Sequence, residues 1–117
     1  VSDQVASPTS TQTLANFCWD LIKTIRSGKE CSSIFHWTDS GLASWYDLAQ
    51  AISEYGKEFG IFTNPAQIDP IKTVDYPVTA KRPLYSSLDT TFSIESIQTK
   101  QVYWRKSVKQ ILREVAN

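Results

Sequence analysis

Hydrophobic residues recur at helical spacing in three stretches of the chain. Leu14, Phe17, Cys18, Leu21, Ile22 and Ile25 fall on one stripe, at i, i+3, i+4, i+7, i+8 and i+11, which predicts an amphipathic helix. Ahead of it, Thr9-Ser10-Thr11-Gln12 matches a capping box, in which the Thr9 hydroxyl and the Gln12 amide serve each other's orphan backbone donors. Gly28 is the predicted stop. Trp45, Leu48, Ala49, Ile52, Tyr55 and Phe59 predict a second helix, opened by Ser44 and Asp47 and ending near Gly56 and Gly60. Trp104, Val108, Ile111, Leu112 and Val115 predict a third over 104–116, with Arg105, Lys106, Lys109 and Arg113 on its solvated faces.

The intervening segments read as short and extended. Ser33-Ile34-Phe35-His36-Trp37 alternates and is β-prone, so it predicts a strand, and Thr38-Asp39-Ser40-Gly41 a turn. Ile68 to Val74, interrupted by Pro70, and Tyr85 to Leu88 predict further extended pieces. Residues 1–9 are turn-rich. Asp89 is placed to cap the next segment, 91–101, which predicts one helical turn plus loop. Three main helices with a few short strands give a small α/β layer. Strands so few and short make a marginal sheet, which predicts that they lean on something beyond themselves.

The stretch from Asp75 to Asp89 differs from the rest. Pro77 and Pro83 each fix φ and bias the preceding residue toward extended geometry, so an ordered crossover is expected. It carries Lys81 and Arg82 at defined positions. These read either as solvated loop charges or, for Arg82 on a stiffened backbone, as a group suited to phosphate or carboxylate. Trp45 likewise has two readings: it starts the core stripe of its helix, or it faces a ligand from the helix N-terminus.

Composition narrows the partners. Twelve basic and twelve acidic residues cancel, so no field draws nucleic acid or an anionic membrane surface. No apolar run approaches the length that spans a bilayer. Cys18, on the apolar stripe, is expected to pack, and Cys31 sits in a polar loop; two such cysteines predict no disulfide and a reducing, cytoplasmic setting. The chain opens without Met and contains none, so a piece of a longer polypeptide is expected. At 117 residues it forms one domain, 1–117.

Catalytic signatures are missing. The four scattered glycines build no phosphate-binding loop, and there is no Gly-x-Ser-x-Gly, no His-Glu-x-x-His and no Cys pair at zinc spacing. His36 is the sole histidine, with no Cys or carboxylate at ligand spacing, so no metal is expected. None of the tyrosines 46, 55, 76, 85 and 103 has a lysine four residues on, which removes a pair in which the ammonium would lower the phenol's pKa for proton transfer.

Three segments, in order, carry a resemblance. They are Asp3-Gln4-Val5-Ala6-Ser7-Pro8-Thr9 with Leu14-Ala15, then Phe35-His36-Trp37-Thr38-Asp39-Ser40-Gly41 running into Ala43-Ser44-Trp45-Tyr46-Asp47-Leu48-Ala49, then Pro70-Ile71 through Tyr76-Pro77-Val78-Thr79-Ala80-Lys81-Arg82-Pro83 to Tyr85-Ser86-Ser87-Leu88-Asp89. With the closing Trp104-Arg105 helix, they resemble the C-terminal substrate-binding part of the dTDP-4-dehydrorhamnose reductases, extended short-chain dehydrogenases/reductases. Ala6 stands where that family carries Gly, Gln12-Thr13 where it often has an acidic residue, and Phe92 where Lys is common. The resemblance implies a parent enzyme that reduces the C4 ketone of a dTDP-6-deoxyhexose with NADPH or NADH, for cell-surface polysaccharide. It implies that the Rossmann domain and the catalytic Thr/Ser, Tyr and Lys precede this segment, so that no catalytic residue lies here and the segment alone binds no nicotinamide and is inactive. Its partners would be a dTDP-sugar, the parent's own N-terminal domain and, in the parent, a second copy. Arg82 is then the first candidate for a nucleotide contact, with Asp3 and Gln4 shaping the loop near the substrate and Trp45 beside them. The rival reading is a non-catalytic regulatory or interaction module on the same fold.

Overall fold

A computed structural model describes residues 1–31 and 34–117. The order of elements is β1 (Val5–Ala6), α1 (Thr11–Arg26), β2 (Ala43–Ser44), α2 (Trp45–Glu58), a 3-10 turn (Thr73–Asp75), α3 (Thr91–Ile97) and α4 (Trp104–Ala116). β1 and β2 pair antiparallel, Val5 opposite Ser44 and Ala6 opposite Ala43. Two isolated bridges extend this framework, Val5 with Tyr85 and Ser40 with Tyr103.

The helix starts follow local chemistry. Ser44 and Asp47 open α2 as expected, and they do so as a capping box: the Ser44 hydroxyl accepts from the Asp47 N–H at 3.1 Å, and the Asp47 carboxylate accepts from the Ser44 N–H at 2.8 Å. At α1 the cap lies one residue later than expected. Ser10, not Thr9, takes the Thr13 N–H at 3.0 Å, while the Thr9 hydroxyl donates to the Ser7 carbonyl and accepts the Asp39 N–H. Gly28, at φ +81°, stands just past the end of α1 as expected. The 91–101 region is a fourth helix of two turns plus loop, rather than a single turn, entered where the Asp89 carboxylate accepts the Thr91 N–H at 2.9 Å.

Two small cores hold these elements. In one, Ala43, Ala51 and Trp104 are buried, with Leu48, Tyr55 and Val108 against them, joining β2, α2 and α4. In the other, Phe17 of α1 stacks on Trp37 at 4.5 Å and meets Phe35 edge-on, which in turn touches Phe92 of α3. The predicted strand 33–37 does not form over its described part, residues 34–37; Ser33 lies outside the described residues. Its alternation is spent on packing Phe35 and Trp37, and the His36 N–H goes to the Ser93 hydroxyl, not to a neighbouring strand. The 68–74 piece is not a strand either: it ends in the 3-10 turn.

The α1 stripe divides differently from its sequence pattern. Phe17 faces the core, whereas Leu14, Cys18, Ile22 and Ile25, together with Trp19, are exposed. Cys18 therefore does not pack as expected, because the stripe is wider than the neighbouring surface that this chain supplies. The Cα radius of gyration is 17.0 Å, against about 13 Å for a compact domain of this length, so the body is flat and open. No helix of the described residues is long and apolar enough to cross a membrane.

Candidate functional site

The first residues of the chain run along both ends of the proline crossover. The Ser2 N–H and hydroxyl donate to the Ile71 carbonyl at 2.8 and 3.0 Å. One oxygen of Asp3 accepts both the N–H and the hydroxyl of Thr73, at 2.9 and 2.6 Å, and the Gln4 amide donates to the same hydroxyl. Farther along, the Val5 N–H donates to the Leu84 carbonyl and the Ser86 N–H to the Val5 carbonyl. The Ala6 substitution causes no backbone strain here, since Gln98 is the sole non-glycine residue with positive φ among those described.

Between this N-terminal rail, α2, α4 and the crossover lies a cleft of about 1330 Å³. Its floor is apolar, from Leu48 and Ile52 on α2 and Val108, Ile111 and Leu112 on α4. Gln4, Trp45 and Arg82 stand on its lining, so three of the four residues singled out from the sequence converge here. Asp3 does not line it; it turns to Thr73. Tyr76, Val78 and Ser86 line it as well, and sequence reasoning did not single them out. Their signal was the crossover itself, where Tyr76 directly precedes Pro77.

Arg82 forms no hydrogen bond or ion pair among the described residues, so its guanidinium is free for an anion at the cleft. Trp45 is 63% exposed, so it does not start a core stripe. The anion-attracting N–H groups expected beside it are already used: Tyr46 N–H goes to the Val1 carbonyl and Asp47 N–H to Ser44. What Trp45 offers is its ring.

Two walls of the cleft are fixed by a residue beneath them. Asp39 is fully buried; its carboxylate accepts from the Ser10 N–H at 3.3 Å, the Thr13 hydroxyl at 2.5 Å and the Ser107 hydroxyl at 2.6 Å. It ties the start of α1 to the first turn of α4, and Ser10 and Ser107 both reach the cleft. The Thr73 hydroxyl, followed by the Thr73 N–H and Lys72, holds the Asp3 carboxyl below its ordinary range despite some desolvation. On the far side of α4, Arg105 is raised by the hydroxyl of Tyr55 and by Glu54, which braces α4 against α2. Among the described residues no three His, Cys, Asp or Glu side chains gather as a metal site.

The whole chain, residues 1–117, matches the family model of the RmlD substrate binding domain. It is similar to the dTDP-4-dehydrorhamnose reductase of Aggregatibacter actinomycetemcomitans, 31% identical over 95% of this chain and 38% of that protein. It is also similar to the spore coat polysaccharide biosynthesis protein SpsK of Bacillus subtilis, 34% identical over 97% of this chain and 36% of that one. A crystal structure of a dTDP-4-dehydrorhamnose reductase from Clostridium acetobutylicum superposes with a TM-score of 0.79 at 32% identity, covering all of this chain and 38% of that one. The chain thus spans less than two-fifths of the length of these relatives. It belongs to the RmlD substrate binding domain family.

Proposed function

We propose that this chain is the sugar-nucleotide-binding part of a dTDP-4-dehydrorhamnose reductase, which reduces dTDP-4-dehydro-L-rhamnose to dTDP-L-rhamnose in the cytoplasm, for lipopolysaccharide or a related cell-surface polysaccharide. The observation that carries this reading is an unpaired Arg82 at the edge of an apolar cleft, in a chain that matches the substrate-binding family from end to end. A nucleoside diphosphate sugar has a charged middle and two less polar ends. Arg82 would bind the diphosphate through its forked donors, Trp45 would present a ring face to the sugar or base, and Gln4 would offer hydrogen bonds beside them. Asp3 serves the site from beneath, through Thr73.

The residues here do not fit a nicotinamide dinucleotide. The Rossmann-type site for such a ligand uses a Gly-rich turn at a helix N-terminus; no such turn leads into α1, α2, α3 or α4, and Ser10 and Ser44 cap α1 and α2 with their own side chains. With no Tyr-x-x-x-Lys pair either, hydride and proton transfer belong to a separate dinucleotide-binding part of the parent, which uses NADPH or NADH. This chain contributes binding and orientation of the sugar nucleotide, the parent acting alone or as a homodimer.

Calorimetric titration of dTDP tests the reading. Binding that weakens about tenfold or more in Arg82→Ala is the expected result, the loss of a charge-assisted contact. Equal affinity of the wild type and Arg82→Ala would refute the assignment of the nucleotide to this cleft. In the full-length protein, oxidation of NADPH or NADH that depends on dTDP-4-dehydro-L-rhamnose is expected, and its absence would overturn the reductase reading.

A further inference from the structure

The crossover is held at its feet and free in its middle. Its first foot is the Ile71–Thr73 segment on Ser2, Asp3 and Gln4, and its second is Leu84–Ser86 on Val5. Between them, residues 77–83 form no hydrogen bond among the described residues, and all are exposed. What the strap presents to the cleft is therefore decided at the feet.

The first foot has a specific construction. The 3-10 turn Thr73–Asp75 follows Lys72, which makes no capping side-chain bond. The missing cap comes from 70 residues away: Asp3 accepts the first N–H of the turn and the hydroxyl of the same residue. The turn ends on Tyr76, whose N–H closes on the Thr73 carbonyl at 3.2 Å. Tyr76 is half exposed, makes no side-chain hydrogen bond, and lines the cleft. An aromatic ring left bare at the end of a turn that is capped in trans is placed for a ligand, since burying it in the chain would need no such device.

We propose that Tyr76 contacts the nucleotide ligand of this cleft and that Asp3 is its positioning residue, acting as a cap in trans on the turn that presents it. This rests on the cleft being the sugar-nucleotide site. It assigns the two feet separate tasks: Asp3 and Thr73 set Tyr76, while the Val5–Leu84 and Ser86–Val5 bonds set Arg82, two residues from Leu84. Tyr76 supplies a face for the thymine or sugar ring, and Arg82 the charge for the diphosphate.

The test is a set of dTDP titrations on the full chain. Tyr76→Ala weakens binding about tenfold, the size of a lost ring–base contact. Asp3→Ala loses a similar amount, and the Asp3→Ala/Tyr76→Ala double variant loses no more than Tyr76→Ala alone, because both remove one contact. Asp3→Ala and Arg82→Ala combine additively, because they act on different feet. Asp3→Asn restores wild-type affinity, since both Thr73 donors share a single Asp3 oxygen that an amide oxygen replaces. A general loss of fold would give neither the selective coupling nor the rescue. If Arg82→Ala weakens dTDP binding but Asp3→Ala does not, or if Asp3→Ala adds fully to Tyr76→Ala, the positioning role is overturned and the site assignment stands. If neither Arg82→Ala nor Tyr76→Ala changes dTDP affinity, the site assignment falls and this role with it.

Discussion

Replacing Asp39 by alanine removes three acceptor contacts from a place water does not reach. Hydrogen bonds to an ionised group contribute about 1.5–3 kcal/mol each, but the three donors are not equally stranded. The Thr13 hydroxyl has a second acceptor at hand in the Ser10 carbonyl, 3.0 Å away. The Ser107 hydroxyl, inside α4, can turn to the carbonyl one helical turn back. The Ser10 N–H makes no other hydrogen bond among the described residues, and removing a buried carboxylate also recovers part of its desolvation cost. The expected net loss is about 3 kcal/mol, a large share of the 5–15 kcal/mol that a domain possesses. With an unfolding entropy of about 2 cal/mol/K per residue, that corresponds to a fall in Tm of about 12 °C.

The Asp39→Asn variant would behave differently. Its amide oxygen keeps Ser10 and Ser107, and its amide nitrogen can donate to the Thr13 oxygen while the Thr13 proton goes to Ser10. The expected cost is about 1 kcal/mol. Urea unfolding followed by Trp fluorescence reads both variants as shifts in midpoint at constant slope. An Asp39→Ala midpoint equal to that of the wild type would refute the idea that this carboxylate joins α1 to α4. An Asp39→Asn variant as weak as Asp39→Ala would show that charge, not acceptor geometry, holds the junction.

Other consequences can be measured alongside. Gly41 sits at φ +88°, and an added Cβ would lie 2.5 Å from the Tyr103 ring and 3.0 Å from Trp104; Gly41→Ala should cost about 2–3 kcal/mol in the same urea assay, and a neutral result would contradict the packing of β2's approach on α4. Phe17→Ala should cost about 3–5 kcal/mol, whereas Ile22→Lys, on the exposed side of α1, should change stability by less than about 0.5 kcal/mol; similar losses would restore the one-sided stripe read from the sequence. The carboxyls of Asp3, Asp47 and Asp89 are each held below 3.8, by the Thr73 hydroxyl, the Ser44 hydroxyl and the Thr91 N–H respectively. Their contribution is present above the unfolded value and lost as pH falls through the lowered ones, so stability should be level from neutrality to about pH 5 and decline below about pH 4; a decline beginning near pH 6 would place the sensitivity elsewhere. Trp45→Ala should leave Tm nearly unchanged and weaken dTDP binding; a large fall in Tm with unchanged affinity would return Trp45 to a packing role.

What could be read from the sequence was local. The Ser44–Asp47 start of α2, the Gly28 stop and the α4 helix each depend on residues within a few positions of one another, and each stands in the structure, although Ile111 and Val115 of the α4 stripe are exposed. The failures have a common physical origin in distant partners. The alternation of 33–37 was real, but an extended segment becomes a strand only beside another, and here the neighbours are the rings of Phe17 and Phe92. β1 and β2 are too short for any periodicity to register. The cap of α1 moved from Thr9 to Ser10 because Thr9 is engaged with Ser7 and with Asp39, 30 residues away. Asp39 itself, read as a turn residue, gave no sign that it would be buried between two helices.

Locality also decided which residues of the site could be named from the sequence. Arg82 and Trp45 were identifiable because an arginine before a proline and a tryptophan at a helix start are unusual locally. Tyr76 and Asp39 were not, since their significance depends on bonds that close loops of 26 to 70 residues. Long-range bonds converge on the first ten residues, which hold only one two-residue strand. Val1 takes the Tyr46 N–H, Ser2 and Asp3 take one foot of the crossover, Val5 the other, and Ser10 meets Asp39. A segment with so little regular structure contributes little to stability by itself, yet it fixes the positions of α2, the strap and α1 around one cleft. Substitutions at Ser2, Asp3 and Gln4, away from the Ser10 cap, should therefore disturb ligand affinity before they disturb folding, the reverse of the order expected at Phe17 or Ala51 in the cores.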